Sequence, residues 1–379
     1  MFSSRISTPL TSDPTAEDIF ESALSTLFTD VTQNRHGTPG ASVTYHSPRF
    51  GPISLRIPTH PDVEDGRNLF AHYLWNSGVI AADAIEVASA VEDVDGGGDV
   101  GNGEDDTGMA NESPEAGATR VVDWGRRRYW NVRGKRVLEL GAATALPSLI
   151  SALSGAGTIT ITDHPSSPAL TMGAIEQNVR ENITARRKQC DGKTGPPEGI
   201  STTATDLTTN IQVLGYVWGT DTMYTTQSYG RPAPPEQQPQ PNTYDRIVVA
   251  DCLWIPFQHG NIVKTILRYL TAQETGPEHE EEAEDPPCAL VITPFHTGRG
   301  IVRNFFGLAT GEWKGYEDDD GDGQGERDPE LADVSGKLKA LEMFEIDVDG
   351  IKRPWQPIRQ DETKNQAKRW CVCAVLARR

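Results

Sequence analysis

Residues 135–165 read KRVLELGAATALPSLISALSGAGTITITDHP, and this stretch decides the fold. Lys135 to Leu140 is a short strand, followed by a loop of small residues from Gly141 to Ala145. Pro147 sits where a first helical turn tolerates a missing N–H. Leu146, Leu149, Ile150 and Leu153 then recur at i, i+3, i+4 and i+7 until Gly155 stops the helix. Thr158 to Thr162 forms a second strand with Asp163 at its end.

The same alternation continues on both sides. Downstream, the sequence predicts a helix through Asn178 and Asn182, a strand near Ser201 to Thr205, and a strand Arg246 to Ala250 ending at Asp251. A helix over Ile262 to Leu270, a strand Ala289 to Thr293, and two β-rich runs at Leu341 to Val348 and Trp370 to Leu376 complete it. Upstream, Ser42 to Tyr45 and Ile53 to Ile57 flank a turn with Pro48, Gly51 and Pro52, which predicts a hairpin. Leu69 to Ala88 has helical spacing after a break at Asn76 to Gly78. The expected class is α/β, a doubly wound, Rossmann-like sheet over residues 69–379, preceded by an extension with a hairpin over residues 1–68.

Inserts interrupt this pattern at residues 91–119, 227–242, 274–287 and 317–330. Three are rich in acids and Gly, the second in Pro and Gln, and all four are expected to be disordered because they cannot bury enough apolar surface to offset chain entropy. Gln189 to Gly199 has turn-forming composition. Of 379 residues, 35 are Lys or Arg and 54 are Asp or Glu, a net charge of −19. The three acidic runs hold 24 of those acids against one base, Arg327, leaving 34 bases and 30 acids elsewhere. The acidity therefore belongs to the inserts and argues against binding nucleic acid through them.

No run approaches the ~18 consecutive apolar residues of a transmembrane helix, so no membrane partner is expected. The first thirty residues show neither a secretory nor a mitochondrial address. The five cysteines (Cys190, Cys252, Cys288, Cys371 and Cys373) lie at no metal-ligand spacing, and the eight histidines form no cluster. A reduced, cytoplasmic chain without a metal site is the expectation.

In an open parallel sheet the strand ends at Leu140, Thr162 and Ala250 converge on one crevice, bringing Gly141, Asp163 and Asp251 near one ligand. A dinucleotide fingerprint needs glycine at the first, third and sixth loop positions, where this chain has Gly141, Ala143 and Leu146. NAD is disfavoured, and no Gly-Lys-Ser/Thr follows for a nucleotide phosphate. Glu139, the small loop Gly141, Ala142, Ala143, and Asp163 suit a nucleoside without phosphates. Asp163 can accept from both ribose hydroxyls and Glu139 can help hold a cationic amino-acid end, a combination that describes S-adenosylmethionine. In the plainer alternative, Gly141 makes a tight turn and Asp163 caps the following helix.

The chain resembles the seven-strand S-adenosylmethionine-dependent methyltransferases, in the branch of protein lysine methyltransferases called family 16. The resemblance rests on Leu74-Trp75, VLELGAATALPS from Val137, TITITDHP from Thr158, NVREN from Asn178, Trp218-Gly219, and Ala250-Asp251-Cys252-Leu253-Trp254 with His259. Within that branch it is most similar to the fungal members described as nicotinamide N-methyltransferase-like or as elongation-factor N-terminal and lysine methyltransferases. The resemblance implies that Trp75, Gly141 to Ala143, Asp163, Asn178, Trp218 and Ala250 meet the cofactor. It also implies a protein substrate, the amino-terminal region of translation elongation factor 1-alpha, and a monomeric enzyme. Ala143 and Ala145 stand where many such enzymes have glycine, and Trp254 where the branch more often has Tyr or Phe.

Methyl transfer to an amine requires a neutral nitrogen held in line with the methyl group. Asp251 can accept a hydrogen bond from the amine, Trp254 can wall the methyl path and favour a cation by its π-face, and His259 can position substrate or relay a proton. Pro294, Phe295 and His296 follow a strand end and can line the acceptor side. An α-amine, with a pKa of ~7.7 to 8.0, is neutral far more often at pH 7 than lysine at ~10.4. A nicotinamide methyltransferase and a non-catalytic cofactor-binding scaffold are the alternatives.

Overall fold

The computed structural model describes residues 2–8, 34–59, 69–90, 122–186, 210–226, 231–272, 285–312 and 329–379. The expectations for 91–119, Gln189 to Gly199 and the strand near Ser201 to Thr205 lie outside these residues, as does most of 274–287 and 317–330. The principal sheet contains β1 (Arg136–Leu140), β2 (Thr158–Asp163), β3 (Asn210–Tyr216), β4 (Met223–Tyr224), β5 (Arg246–Ala250), β6 (Cys288–Pro294), β7 (Leu338–Asp347), β8 (Lys352–Pro354) and β9 (Trp370–Arg378). Their spatial order is β8-β7-β9-β6-β5-β1-β2-β3-β4. Strands β3, β2, β1, β5 and β6 run parallel, and β9 enters antiparallel between β6 and β7. Seven long strands form the body, six of them where the sequence places them; β3 at Asn210–Tyr216 lies downstream of the strand expected near residues 201–205, and the short β4 and β8 extend the two edges.

The central strands read as nearly continuous apolar runs because both faces are covered. Along β1 and β5 successive side chains alternate faces. Val137 and Val248 join Val79, Ile80, Leu149 and Ile150 on one side. Leu138, Ile247 and Val249 join Ile262, Ile266, Val302 and Phe305 on the other. The first layer comes from α1 (Asn76–Ala88) and α2 (Leu146–Leu153), followed in the chain by α3 (Ala174–Val179). The second comes from α4 (His259–Tyr269) and α5 (Arg299–Thr310). Asn76 to Gly78, expected as a break, is instead the first turn of α1. A two-residue strand Leu74–Trp75, paired with Arg35–His36, delivers the chain directly into the helix.

The predicted hairpin is present as Ser42–Ser47 against Gly51–Arg56, with Ile6–Ser7 added as a third strand. Asn178 on α3 fastens it to the sheet. Its side-chain amide donates to the carbonyls of Arg56 (3.2 Å) and Thr144 (3.1 Å), and its oxygen accepts from the Arg56 amide (2.7 Å). At the other end of the extension, Arg5 pairs with the buried Asp83 of α1, which also accepts from the Trp124 indole at 2.9 Å.

The Pro/Gln-rich stretch 227–242, expected to be disordered, follows a defined path from residue 231 onward. The reason is Gln238, whose side-chain amide behaves as a strand partner for β4. It accepts from the Met223 amide (3.0 Å) and donates to the carbonyls of Met223 (2.8 Å) and Ala233 (2.9 Å). Composition registers the glutamines as polar and misses that one of them closes a sheet edge. Likewise Asp285, within the second acidic run, forms ion pairs with Lys135 at 2.5 Å and with the fully buried Arg246 of β5.

Replacing Asn178 with Ala removes these backbone partners at a buried position. It should lower unfolding free energy by about 3 kcal/mol. Urea denaturation of the variant checks this, with an unchanged m-value expected if the folded body stays the same.

Candidate active site

Register fixes the geometry of the crevice. Val249 of β5 lies beside Leu140 of β1, and Glu139 lies beside Ile161 of β2. The residues that follow, Gly141, Ala250-Asp251 and Asp163, therefore share one end of the sheet, next to the point where chain direction away from β1 reverses. The loop after β1 takes left-handed backbone at Gly141 (φ 62°), Ala143 (48°) and Ala145 (60°). Glycine is needed at the first, because a Cβ there would lie 2.9 Å from the Cys252 sulfur and 3.3 Å from the Trp218 ring. The two alanines hold a conformation costing roughly 1–2 kcal/mol each, and neighbouring hydrogen bonds oppose that cost. The Ala143 amide donates to Asp163 Oδ2 at 2.8 Å, the Ala145 amide to the Ala142 carbonyl at 2.7 Å, and the Ala142 amide to the Thr162 carbonyl at 3.0 Å. Asp163 Oδ1 accepts from the His164 amide at 2.7 Å.

Three sequence-predicted residues are occupied elsewhere. Glu139 was expected at the amino-acid end of a cofactor, but its carboxylate accepts from the Ser148 amide (3.1 Å) and hydroxyl. The N-cap of α2 is Ala145, which has no side-chain acceptor, so Glu139 reaches from the strand to satisfy an orphan amide in the helix's first turn. Burial pushes its carboxyl up to about 8, against the Ser148 hydrogen bonds. Asn178 spends its amide on the Arg56 and Thr144 backbone, so it acts on the loop from behind. His259 lies buried at the start of α4, with Nε2 2.9 Å from the Leu253 carbonyl and its ring edge-on to Phe305. Burial lowers its pKa below the ordinary histidine value, and its Nε2 is engaged with the 251–255 loop.

The end of β5 leads into Asp251, itself left-handed at φ 59°. Its amide donates to the Ile292 carbonyl at 2.9 Å, and Oδ2 receives a long contact from the Ser77 hydroxyl at 3.4 Å. Oδ1 is buried without a hydrogen-bond partner, and burial pushes the carboxyl up to about 7. His296 Nε2 lies 4.0 Å from Oδ1, and further aromatic rings pack near it. Trp75 stacks on His296 with centroids 5.6 Å apart, and its indole N–H donates to the Phe70 carbonyl at 3.0 Å. Trp254 meets Phe70 edge-on at 5.2 Å. Phe70 is 44% exposed and Phe257, three residues after Trp254, 79%. Sequence reasoning missed Ser77, Ser148 and Phe70. Ser77 and Ser148 look like ordinary first-turn residues, and Phe70 precedes any periodic signal.

Among the described residues, no group of three or more His, Cys, Asp or Glu could hold a metal ion, and no helix is long and apolar enough to cross a membrane. The arrangement offers a slot with bare backbone under the Trp218 ring, a carboxylate fixed at the end of β2, and a second carboxylate with a free oxygen beside aromatic rings.

Gly141→Ala should push Trp218 or Cys252 away and weaken S-adenosylhomocysteine binding by about tenfold or more, read by calorimetry. The pH dependence of stability follows from Glu139. Its folded pKa is raised, so its contribution is present below its unfolded value near ~4.3 and lost as pH rises through about 8. Thermal melts should show Glu139→Gln gaining on the wild type as pH rises from 5 to 9.

The chain is similar to several curated fungal proteins named protein N-terminal and lysine N-methyltransferase. The relative from Gibberella zeae is 32% identical over 150 residues, which are 40% of this chain and 49% of that protein. The relative from Emericella nidulans is 33% identical over 164 residues (43% and 50%), and that from Schizosaccharomyces pombe 24% over 198 residues (52% and 50%). The chain spans about half the length of the curated relatives it matches. No protein-family model matches it.

Proposed function

We propose that this chain is an S-adenosylmethionine-dependent N-methyltransferase acting on a protein amine. The substrate assigned here is the N-terminal amine, a nearby lysine, or both, of translation elongation factor 1-alpha, met in the cytoplasm by a monomeric enzyme. The catalytic unit is residues 69–379, with 1–68 as an extension. One observation carries the reading. Asp163, clamped to the glycine-poor loop, and Asp251, with an unpaired buried oxygen, sit at the same end of the sheet on the strands either side of β1. The names of the fungal relatives point the same way.

The residues present fit the cofactor. Each Asp163 oxygen accepts one backbone amide and keeps a lone pair for a ribose hydroxyl. A ligand without phosphates suits a loop whose third residue carries a Cβ. Gly141 lets the Trp218 ring close on bare backbone, where it can meet an adenine, and Trp75 and Ala250 flank the same crevice. When bound, the cofactor supplies an electrophilic methyl on a sulfonium. The chain's own residues hold the amine. Asp251 Oδ1 accepts its N–H and turns the lone pair inward, while Trp254 and Phe70 exclude water from the path. Exposure of Phe70, which packs edge-on against Trp254, favours a protein segment over the closed aromatic cavity that a pyridine such as nicotinamide needs.

The test is incubation of the purified protein with tritiated S-adenosylmethionine and size-fractionated cell extract, then with recombinant elongation factor 1-alpha. Label on that protein, placed by mass spectrometry at its first residues, is the expected result. Label only in small molecules would establish the nicotinamide alternative, and cofactor binding with no label at all would favour a scaffold. Asp163→Ala should raise the S-adenosylhomocysteine Kd by about tenfold or more. Asp251→Ala should abolish turnover and leave that Kd within about twofold.

A further inference from the structure

We infer that His296 is a second catalytic group at the acceptor site, sharing the substrate amine with Asp251 and taking its proton. This rests on the proposed methyltransferase reading and adds to it the base that an amine substrate requires. His296 follows β6, and its Nε2 lies 4.0 Å from Asp251 Oδ1. That separation is too long for a hydrogen bond between the two and short enough for one nitrogen to donate to both. Asp251 Oδ1 and His296 Nδ1 are both buried without hydrogen-bond partners, so neither is committed to the fold. The ring is held in place by stacking on Trp75 with an interplanar angle of 17°. Its side chain is 23% exposed against 7% for Asp251, so it is the member of the pair open to solvent.

The surroundings agree with a neutral base. Burial, and then the Lys368 charge, hold the His296 pKa below its ordinary value. Around Asp251, α1 presents the Ser77 hydroxyl, the following residue presents the Cys252 thiol, and β9 presents the Cys371 thiol. Burial keeps both sulfurs protonated, so neither competes for the proton. The substrate enters as an ammonium, R–NH3⁺, and gives one proton to His296 Nε2 while Asp251 Oδ1 accepts a second N–H. The freed lone pair forms the N–C bond as the sulfonium C–S bond breaks, with that electron pair going to sulfur. The product leaves as R–NH2CH3⁺, and the proton on His296 passes to solvent from its exposed edge.

The experiment measures amino-terminal methylation of recombinant elongation factor 1-alpha across pH 6.5 to 9.5 for the wild type, His296→Gln and His296→Phe. The Phe variant keeps a ring to stack on Trp75 without a nitrogen. Removing a general base should lower kcat by about 10²-fold at pH 7. The deficit should shrink to about threefold or less at pH 9.5, where water has already deprotonated an α-amine of pKa ~7.7 to 8.0. S-adenosylhomocysteine Kd and melting temperature should match the wild type. A loss of equal size at every pH, or no loss, overturns the role of His296 while leaving the methyltransferase reading intact. Absence of transfer by the wild type overturns that reading itself, and the inference with it. Separately, NMR titration of the His296 ring should show its pKa falling in Asp251→Asn, and an unchanged titration would deny that the two groups face one another.

Discussion

The amide of Ala143 donating to the carboxylate of Asp163 is the contact on which the rest of the site depends. It joins the loop leaving β1 to the end of β2 and holds an alanine in left-handed backbone. Three conditions have to hold together for it to exist. Asp163 must be desolvated, which raises its pKa, and the Ala143 and His164 amides must offset that cost. Glu139 must anchor α2 from the strand, because the residue that begins this helix has no capping side chain. Asn178 must brace the loop from its far side. A carboxylate spent on its own backbone is also preorganised, so a ligand hydroxyl meets an acceptor already fixed in direction.

Much of this arrangement was legible in the sequence. Strand ends at Leu140, Thr162 and Ala250 follow from apolar runs broken by Gly or Asp, and their convergence follows from the doubly wound class. The residues found engaged with the protein's own backbone share a physical reason. Glu139, Asn178 and His259 are polar residues beside the crevice, and a sequence cannot say whether a polar side chain faces ligand or satisfies buried backbone. The backbone takes precedence wherever an orphan amide or carbonyl lies within reach. Gln238 is the same lesson on the surface, where an amide in a proline-rich stretch completes a strand edge. Ser77 gains its meaning only from a long-range contact, since Asp251 lies far from it in the chain.

The two carboxylates of the crevice are treated differently. Each Asp163 oxygen is held by one neighbouring amide, whereas Asp251 keeps one oxygen without a hydrogen-bond partner. Burial raises both, so the charge that each adopts depends on what else enters the crevice. A cationic visitor favours ionised Asp251, which makes the pocket selective by protonation as well as by shape.

The antiparallel insertion of β9 between β6 and β7 also sets an order of assembly. During synthesis β7 emerges before β9, yet it has no seat on the sheet until β9 has paired with β6. In that interval the growing chain carries an open β6 edge, with the apolar run CALVITP as its sequence. An edge of that kind invites pairing with other chains. That edge stays open from the emergence of residues 288–294 until residues 370–378 pair with it, so a chaperone is most useful over the whole of that interval.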